Sequence, residues 1–64
     1  MLMIFFEKDK VLSYDVPSMK TMNPEFYPKP SIGEKVVLDG MMYIVCDVTT
    51  NYDEHQIIVI IDRV

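Results

Sequence analysis

The stretch Ile32-Gly33-Glu34-Lys35-Val36-Val37-Leu38-Asp39-Gly40-Met41-Met42-Tyr43-Ile44-Val45-Cys46-Asp47-Val48 decides the fold. Two runs of β-forming residues meet there at Asp39-Gly40. A two-residue type I′ turn needs positive φ at both central positions, and an Asp-Gly pair tolerates it. The stretch therefore predicts a hairpin in which Leu38 lies opposite Met41.

That register assigns each side chain of the hairpin to a face. One face carries Val36, Leu38, Met41, Tyr43 and Val45 together with Glu34, and the other carries Lys35, Val37, Met42 and Ile44. The second strand is expected to continue to Thr50, with a bulge near Cys46-Asp47 that lets Val45 and Val48 both point inward. Both faces therefore carry large apolar groups.

A first hairpin is predicted upstream, at residues 1–16. Its strands are Leu2 to Glu7 and Val11 to Val16, and the charged residues between them suit a tight connection. Alternation places Leu2, Ile4 and Phe6 on one face of the first strand and Met3 and Phe5 on the other.

Residues 17–31 hold all four prolines and predict a long loop. A single helical turn around Met19 to Met22 is compatible with that composition. One interpretation has Met19, Met22, Phe26 and Tyr27 close the open end of a barrel. In the other, Phe26 and Tyr27 contact a partner, since aromatic residues are enriched at interfaces.

The last strand is predicted within residues 55–64, after turn residues at 50–54. Its run Ile57-Ile58-Val59-Ile60-Ile61 is apolar on both sides, whereas a sheet with one wet face should alternate. If Ile58, Ile60, Val37, Met42 and Ile44 lie outside the barrel, they form an apolar patch that requires a cover. Alternatively, strong curvature of the sheet buries these side chains within one monomer.

Together these elements predict one all-β domain over residues 1–64: two hairpins (1–16 and 32–50) around the loop, and a last strand at 55–64. The expected architecture is a small five-stranded antiparallel barrel or sandwich, SH3-like. At 64 residues the core is marginal, and the single cysteine excludes an internal disulfide. Self-association, most simply as a homodimer, is the expected compensation.

Composition argues against several classes of function. The net charge is −4 and the six Lys and Arg residues are dispersed, so direct nucleic-acid binding is not expected. No apolar run approaches the roughly 20 residues of a membrane span, so no membrane partner is expected. The start, Met1-Leu2-Met3-Ile4-Phe5-Phe6, reads as a strand rather than a signal peptide, and we expect a cytoplasmic protein.

No arrangement of residues indicates catalysis or a cofactor. Cys46 lies among apolar residues and reads as a buried structural thiol, and His55 is the only histidine available to activate it. The acidic residues Asp53, Glu54 and Asp62 near His55 read as solvated charge rather than metal ligands. We therefore expect no catalytic residue, no metal and no cofactor.

The pattern Pro30-x-Ile32-Gly33-Glu34-x-Val36-x-Leu38-x-Gly40-x-x-Tyr43-x-Val45-x-x-Val48, followed by the strand Ile57 to Ile61, resembles short phage-encoded β proteins with SH3-like small barrels. The resemblance covers the C-terminal half and carries no functional residue. Such pieces occur in virion connectors and in small proteins that inhibit bacterial immune systems. The resemblance thus implies a phage origin and, for an inhibitor, the host cytoplasm.

Three functions are compatible with these observations. The first is a non-enzymatic inhibitor that acts as an oligomer and binds a host defence protein through Phe26, Tyr27, Met42, Ile58 and Ile60. The second is an oligomeric binder of a small ligand such as a signalling nucleotide, with Tyr27, Tyr43 or Tyr52 stacking on a base. The third is a structural component of a virion.

Overall fold

The computed structural model describes residues 1–10 and 20–64. Five strands form one sheet: β1 (Leu2–Glu7), β2 (Lys20–Met22), β3 (Lys35–Leu38), β4 (Met41–Asn51) and β5 (Gln56–Arg63). A single 3-10 turn, Lys8–Lys10, follows β1, and no α-helix occurs in these two ranges. The prediction of a five-stranded β protein is therefore confirmed in its coarse form.

The sheet is mixed, so the prediction of an antiparallel sheet is wrong. The strand order is β2-β1-β5-β4-β3, and β1 pairs with β5 in parallel, Met3 opposite Ile57 and Phe5 opposite Val59. The other three pairs of neighbours are antiparallel. Parallel strands lie in the interior of sheets, and their sequences are typically continuous apolar runs. Both β1 and β5 have such sequences. Their composition therefore suits the two central positions that they occupy.

The sheet curls into a half-barrel whose two edge strands approach each other at one corner. Lys20 begins the edge strand β2, and Asp39 directly follows the opposite edge strand β3. The Lys20 Nζ atom lies 2.9 Å from the Asp39 Oδ1 atom. At the other end of the same two strands, residues 23–34 run from β2 to β3. The gap between the edges is thus bridged by an ion pair at one end and by the chain itself at the other.

The core lies on the inner face of the half-barrel. It consists of side chains from four of the strands, with Val59 and Ile61 fully buried and Met22, Val36 and Val48 packed at its margin. The buried members are Met3, Phe5, Leu38, Tyr43, Val45, Ile57, Val59 and Ile61. Both Met3 and Phe5 belong to it, as the predicted alternation of the first strand requires.

The turn between β3 and β4 explains why this register forms. Asp39 has φ 52° and Gly40 has φ 81°, the left-handed values that a type I′ turn needs. Leu38 lies opposite Met41 and Val36 opposite Tyr43, the pairs expected from the sequence. Met41 shares this face but is 43% exposed, because it lies at the end of the sheet beside the turn.

A bulge in β4 keeps its long apolar strand facing the core. The register with β5 shifts between Val45 and Asp47, so that Val45 lies opposite Ile61 and Val48 opposite Val59. Val45 is buried and Val48 packs against the core. The extra residue, Cys46, thus restores the inward direction after Asp47, and the predicted bulge is confirmed.

Residues 20–22 depart from the loop predicted for residues 17–31. Val11 to Val16 and Met19 lie outside the described residues, and Lys20–Met22 is a strand rather than a helical turn. β1 explains the difference, because its edge pairs with these residues, Met3 opposite Met22. In the interpretation that has Met19, Met22, Phe26 and Tyr27 close the barrel, Phe26 and Tyr27 are wrong, since both side chains are exposed, whereas Met22 packs against the core.

Candidate protein-binding surface

The outer face of the half-barrel carries an apolar block over its two central strands. Ile4 lies beside Ile58 and Phe6 beside Ile60 in the parallel register of β1 and β5. All four side chains are only partly buried, whereas their inward neighbours Val59 and Ile61 are fully buried. We call these four residues the central block. The outer position of Ile58 and Ile60 is one of the two alternatives that the sequence left open.

A second apolar group lies at one end of the outer face. Val37 on β3 lies opposite Met42 on β4. The amide of Val64, the residue after β5, donates a hydrogen bond of 3.3 Å to the Met42 carbonyl, which places the three residues in one row across the sheet. Their exposed fractions are 63% for Val37, 49% for Met42 and 69% for Val64. We call these three residues the end row. Each side chain in the row is about half exposed or more.

Next to the end row runs a row with charges at its two ends. Ile44 on β4 lies opposite Lys35 on β3 and opposite Asp62 on β5. Neighbouring strands are about 4.8 Å apart, so the Cα atoms of Lys35 and Asp62 are separated by about 10 Å. Asp62 Oδ1 accepts a hydrogen bond of 2.9 Å from the Arg63 amide. The row therefore runs positive, apolar, negative across the sheet.

Phe26 and Tyr27 lie on a tight turn in the connection between β2 and β3. The Asn23 carbonyl accepts hydrogen bonds from the amides of Phe26 (3.1 Å) and Tyr27 (3.2 Å), and Asn23 Oδ1 accepts one from the Glu25 amide (2.9 Å). Pro24 follows Asn23 and has φ fixed near −65°. The exposed fractions are 77% for Phe26 and 49% for Tyr27. The backbone is therefore ordered while both rings remain largely in water.

Only two of the three tyrosines considered for ligand stacking are accessible. Tyr43 is 2% exposed and belongs to the core, so it offers no ring face to a ligand, and its assignment as a stacking residue is corrected. Tyr52 is 76% exposed on the turn between β4 and β5, where Asn51 Oδ1 accepts a hydrogen bond of 3.1 Å from the Glu54 amide. Tyr52 and Tyr27 thus lie on different connections of the sheet.

Cys46 and His55, the residues weighed as a catalytic pair, lie at the bulge in β4 and in the turn before β5. Cys46 is half-buried at the bulge rather than fully buried, and its Sγ donates a long hydrogen bond (3.7 Å) to the Ile44 carbonyl. His55 is exposed with φ 55° in the turn before β5. Across residues 1–10 and 20–64, no three His, Cys, Asp or Glu side chains come together as a metal site.

Comparison with known proteins does not assign the chain to a group: no family model, no curated protein and no solved structure matches it. The part of the chain that the structure describes contains no helix with the length and apolarity needed to cross a membrane.

The sequence missed two parts of the outer face. Val64 was not recognised as part of an apolar row because its place depends on pairing with β4. Ile4 and Phe6 were assigned to one face of β1, but their position beside Ile58 and Ile60 follows only from the parallel pairing. The signal that both strands shared was a run of apolar residues without alternation, which is typical of central strands.

Proposed function

We propose that the chain is a non-enzymatic protein-binding module, a small phage-type inhibitor that acts as an oligomer on a host defence protein in the cytoplasm. The observation that supports this proposal most is the exposure of Phe26 and Tyr27 on an ordered turn. The resemblance of residues 30–48 and 57–61 to phage-encoded SH3-like small barrels belongs to the same proposal.

An ordered turn with exposed aromatic rings favours binding for an energetic reason. Large rings supply much of the energy of protein interfaces, and truncation of such a residue commonly costs about 2 kcal/mol or more of binding. Ordering a loop on binding opposes association. Because hydrogen bonds that Asn23 accepts and the fixed φ of Pro24 order the backbone of the Phe26 turn beforehand, the cost of ordering this loop is small here.

The central block offers a second contact for the same host protein. Its four side chains lie on adjacent strands and remain partly accessible, and Ile58 and Ile60 are the two that the sequence selects as partner-binding residues. A partner with an apolar surface would gain about 25 cal/mol for each square ångström of apolar area that it covers there. The turn and the block together would form a mainly apolar interface.

Binding is tested with a purified host protein. Affinity capture from bacterial lysate identifies the candidate, and calorimetry then measures its dissociation constant with the wild-type chain and with variants. We expect Phe26→Ala to weaken binding by roughly 30-fold, which corresponds to about 2 kcal/mol. The matched control is Tyr52→Ala, which removes an aromatic ring of similar exposure from another turn and should leave the constant unchanged.

Two further measurements separate this function from its alternatives. Expression of the chain in bacteria that carry the defence system should restore phage growth, and Phe26→Ala should abolish the restoration. Native mass spectrometry of protein purified from cells should show no retained nucleotide. A retained nucleotide that is lost in Tyr27→Ala or Tyr52→Ala would contradict the proposal and favour a ligand binder. Assembly of the purified chain into oligomers of unlimited size would favour a virion component.

A further inference from the structure

The row Lys35, Ile44 and Asp62 on the outer face is complementary to itself. Lys35 lies on one side of β4 and Asp62 on the other, each next to Ile44. The adjacent end row is apolar at all three positions and equally exposed on both sides of β4. A second copy of this surface is complementary to the first in charge when its strand order is reversed, so that its β3 side faces the β5 side of the first copy.

A two-fold axis parallel to β4, lying between two outer faces, produces this arrangement. This axis reverses the order of the strands in the second copy, and each residue keeps its position along the strand direction. Lys35 of each copy then lies over Asp62 of the other, Ile44 over Ile44, Val37 over Val64 and Met42 over Met42. We propose that these two rows form the homodimer interface of the chain, with this two-fold axis and with two intermolecular Lys35–Asp62 ion pairs.

The curvature of the sheet limits the contact to this strip. The outer face of a half-barrel is convex across its strands, so two copies touch along β4 and its flanks rather than over the whole face. Packed sheets align within about 30° of each other, so the two β4 strands diverge from the point of contact. Without this divergence, the exposed Asp47, farther along β4, would face Asp47 of the second copy. The dimer is therefore expected to be weak and sensitive to salt.

This interface deepens the proposed function, because it assigns the oligomer contact to one part of the surface and leaves another part for the host protein. Phe26 and Tyr27 lie on the connection between β2 and β3, outside the two rows. The central block lies on β1 and on β5, the strand that also carries Asp62. The dimer can thus form while the Phe26 turn remains accessible. Failure of the dimer therefore does not by itself remove binding to a host protein.

Charge-reversal variants in analytical ultracentrifugation test the inference on the full chain. Lys35→Glu replaces both attractive pairs by repulsive ones, and so does Asp62→Lys. We expect either variant alone to weaken the dimer by about ten-fold or more, the effect of about 1.4 kcal/mol. Lys29→Glu is the matched control, because it makes the same change of charge at an exposed residue outside the two rows.

Mixing the two variants is the decisive measurement. In a mixed dimer both pairs are again of opposite charge, so the Lys35→Glu chain and the Asp62→Lys chain should associate with each other more tightly than either does with itself. Dichroism spectra that match the wild type establish that each variant is folded. A wild-type chain that stays monomeric, single variants that dimerise normally, or a mixture that does not recover would each overturn the inference.

Host-protein binding in the same variants keeps the two proposals distinguishable. Lys35→Glu should bind the purified host protein with an unchanged constant per chain, while Phe26→Ala should dimerise normally. Loss of the dimer with binding intact is the result expected for Lys35→Glu, because the host protein contacts other residues. Unchanged binding by Phe26→Ala, with its dimer intact, would refute the host-binding role of the Phe26 turn and leave the interface standing.

Discussion

The two faces of β5 are built from the same kind of residue and have different environments. Val59 and Ile61 are fully buried on the inner face, whereas Ile58 and Ile60, their direct neighbours in sequence, are only partly buried on the outer face. Alternation along a strand separates them, and the curl of the sheet decides which set is enclosed. Composition alone therefore does not distinguish a core residue of this protein from a surface residue.

Substitution of the adjacent residues Ile60 and Ile61 gives the largest expected difference in the free energy of unfolding. Ile61→Ala removes a fully buried side chain and should lower the free energy of unfolding by about 2–5 kcal/mol, through lost burial and the cavity left behind. Ile60→Ala makes the same chemical change one residue away and should cost clearly less, because that side chain is already partly in water. Urea denaturation of both variants measures the difference. Equal losses would show that the two faces are equally enclosed in solution.

The turn that sets the register gives an intermediate effect. Gly40→Ala places a Cβ at φ 81°, where an L-residue is strained, and no heavy atom lies within 4 Å of that Cβ. We expect a loss of about 1–2 kcal/mol from backbone strain alone, measured by denaturation. Gly33→Ala is the matched control, with φ 89° and equally open space, and should cost a similar amount. A much larger loss at Gly40 would mean that this turn also holds the two faces in register.

The ion pair that joins the two edges gives the smallest effect. A double-mutant cycle with Lys20→Met and Asp39→Asn should give a coupling of about 0.2–1 kcal/mol, because both side chains are substantially exposed, at 35% and 63%. The coupling should fall as salt is added. Asn at position 39 keeps a residue that tolerates positive φ. A coupling of zero at low salt would indicate that the edges are held together by the core and the connection alone.

Local signals predicted the parts of the fold that depend on neighbouring residues. Asp39-Gly40 predicted the turn and its register, and the pattern around Cys46 predicted the bulge that turns Val48 inward. The prediction of residues 17–31 was less successful. Prolines excluded a central strand there, but the pairing of Lys20–Met22 with β1 depends on an open sheet edge, which is not visible in a local pattern.

The candidate surface was predicted in part for the same reason. The sequence selected Phe26, Tyr27, Met42, Ile58 and Ile60, and the structure places these residues on one exposed turn and on the outer face. The ligand-binding alternative selected the buried Tyr43 together with the exposed Tyr52, although the predicted register places Tyr43 on the same face as Val45. Accessibility of a ring is set by the direction of the strand and the curvature of the sheet, and neither is encoded by residue type.

The sequence by itself determined the β class, the β3–β4 turn and the alternation along each strand, because steric limits on φ and the two-residue period act over a few residues. The tertiary structure decided that β1 lies parallel to β5, that Val64 completes a row with Met42, and that Lys35 and Asp62 flank Ile44. These relations join residues far apart in the chain. These pairings form when two apolar runs are buried side by side. They depend on the free energy of the whole sheet rather than on the preference of any one segment.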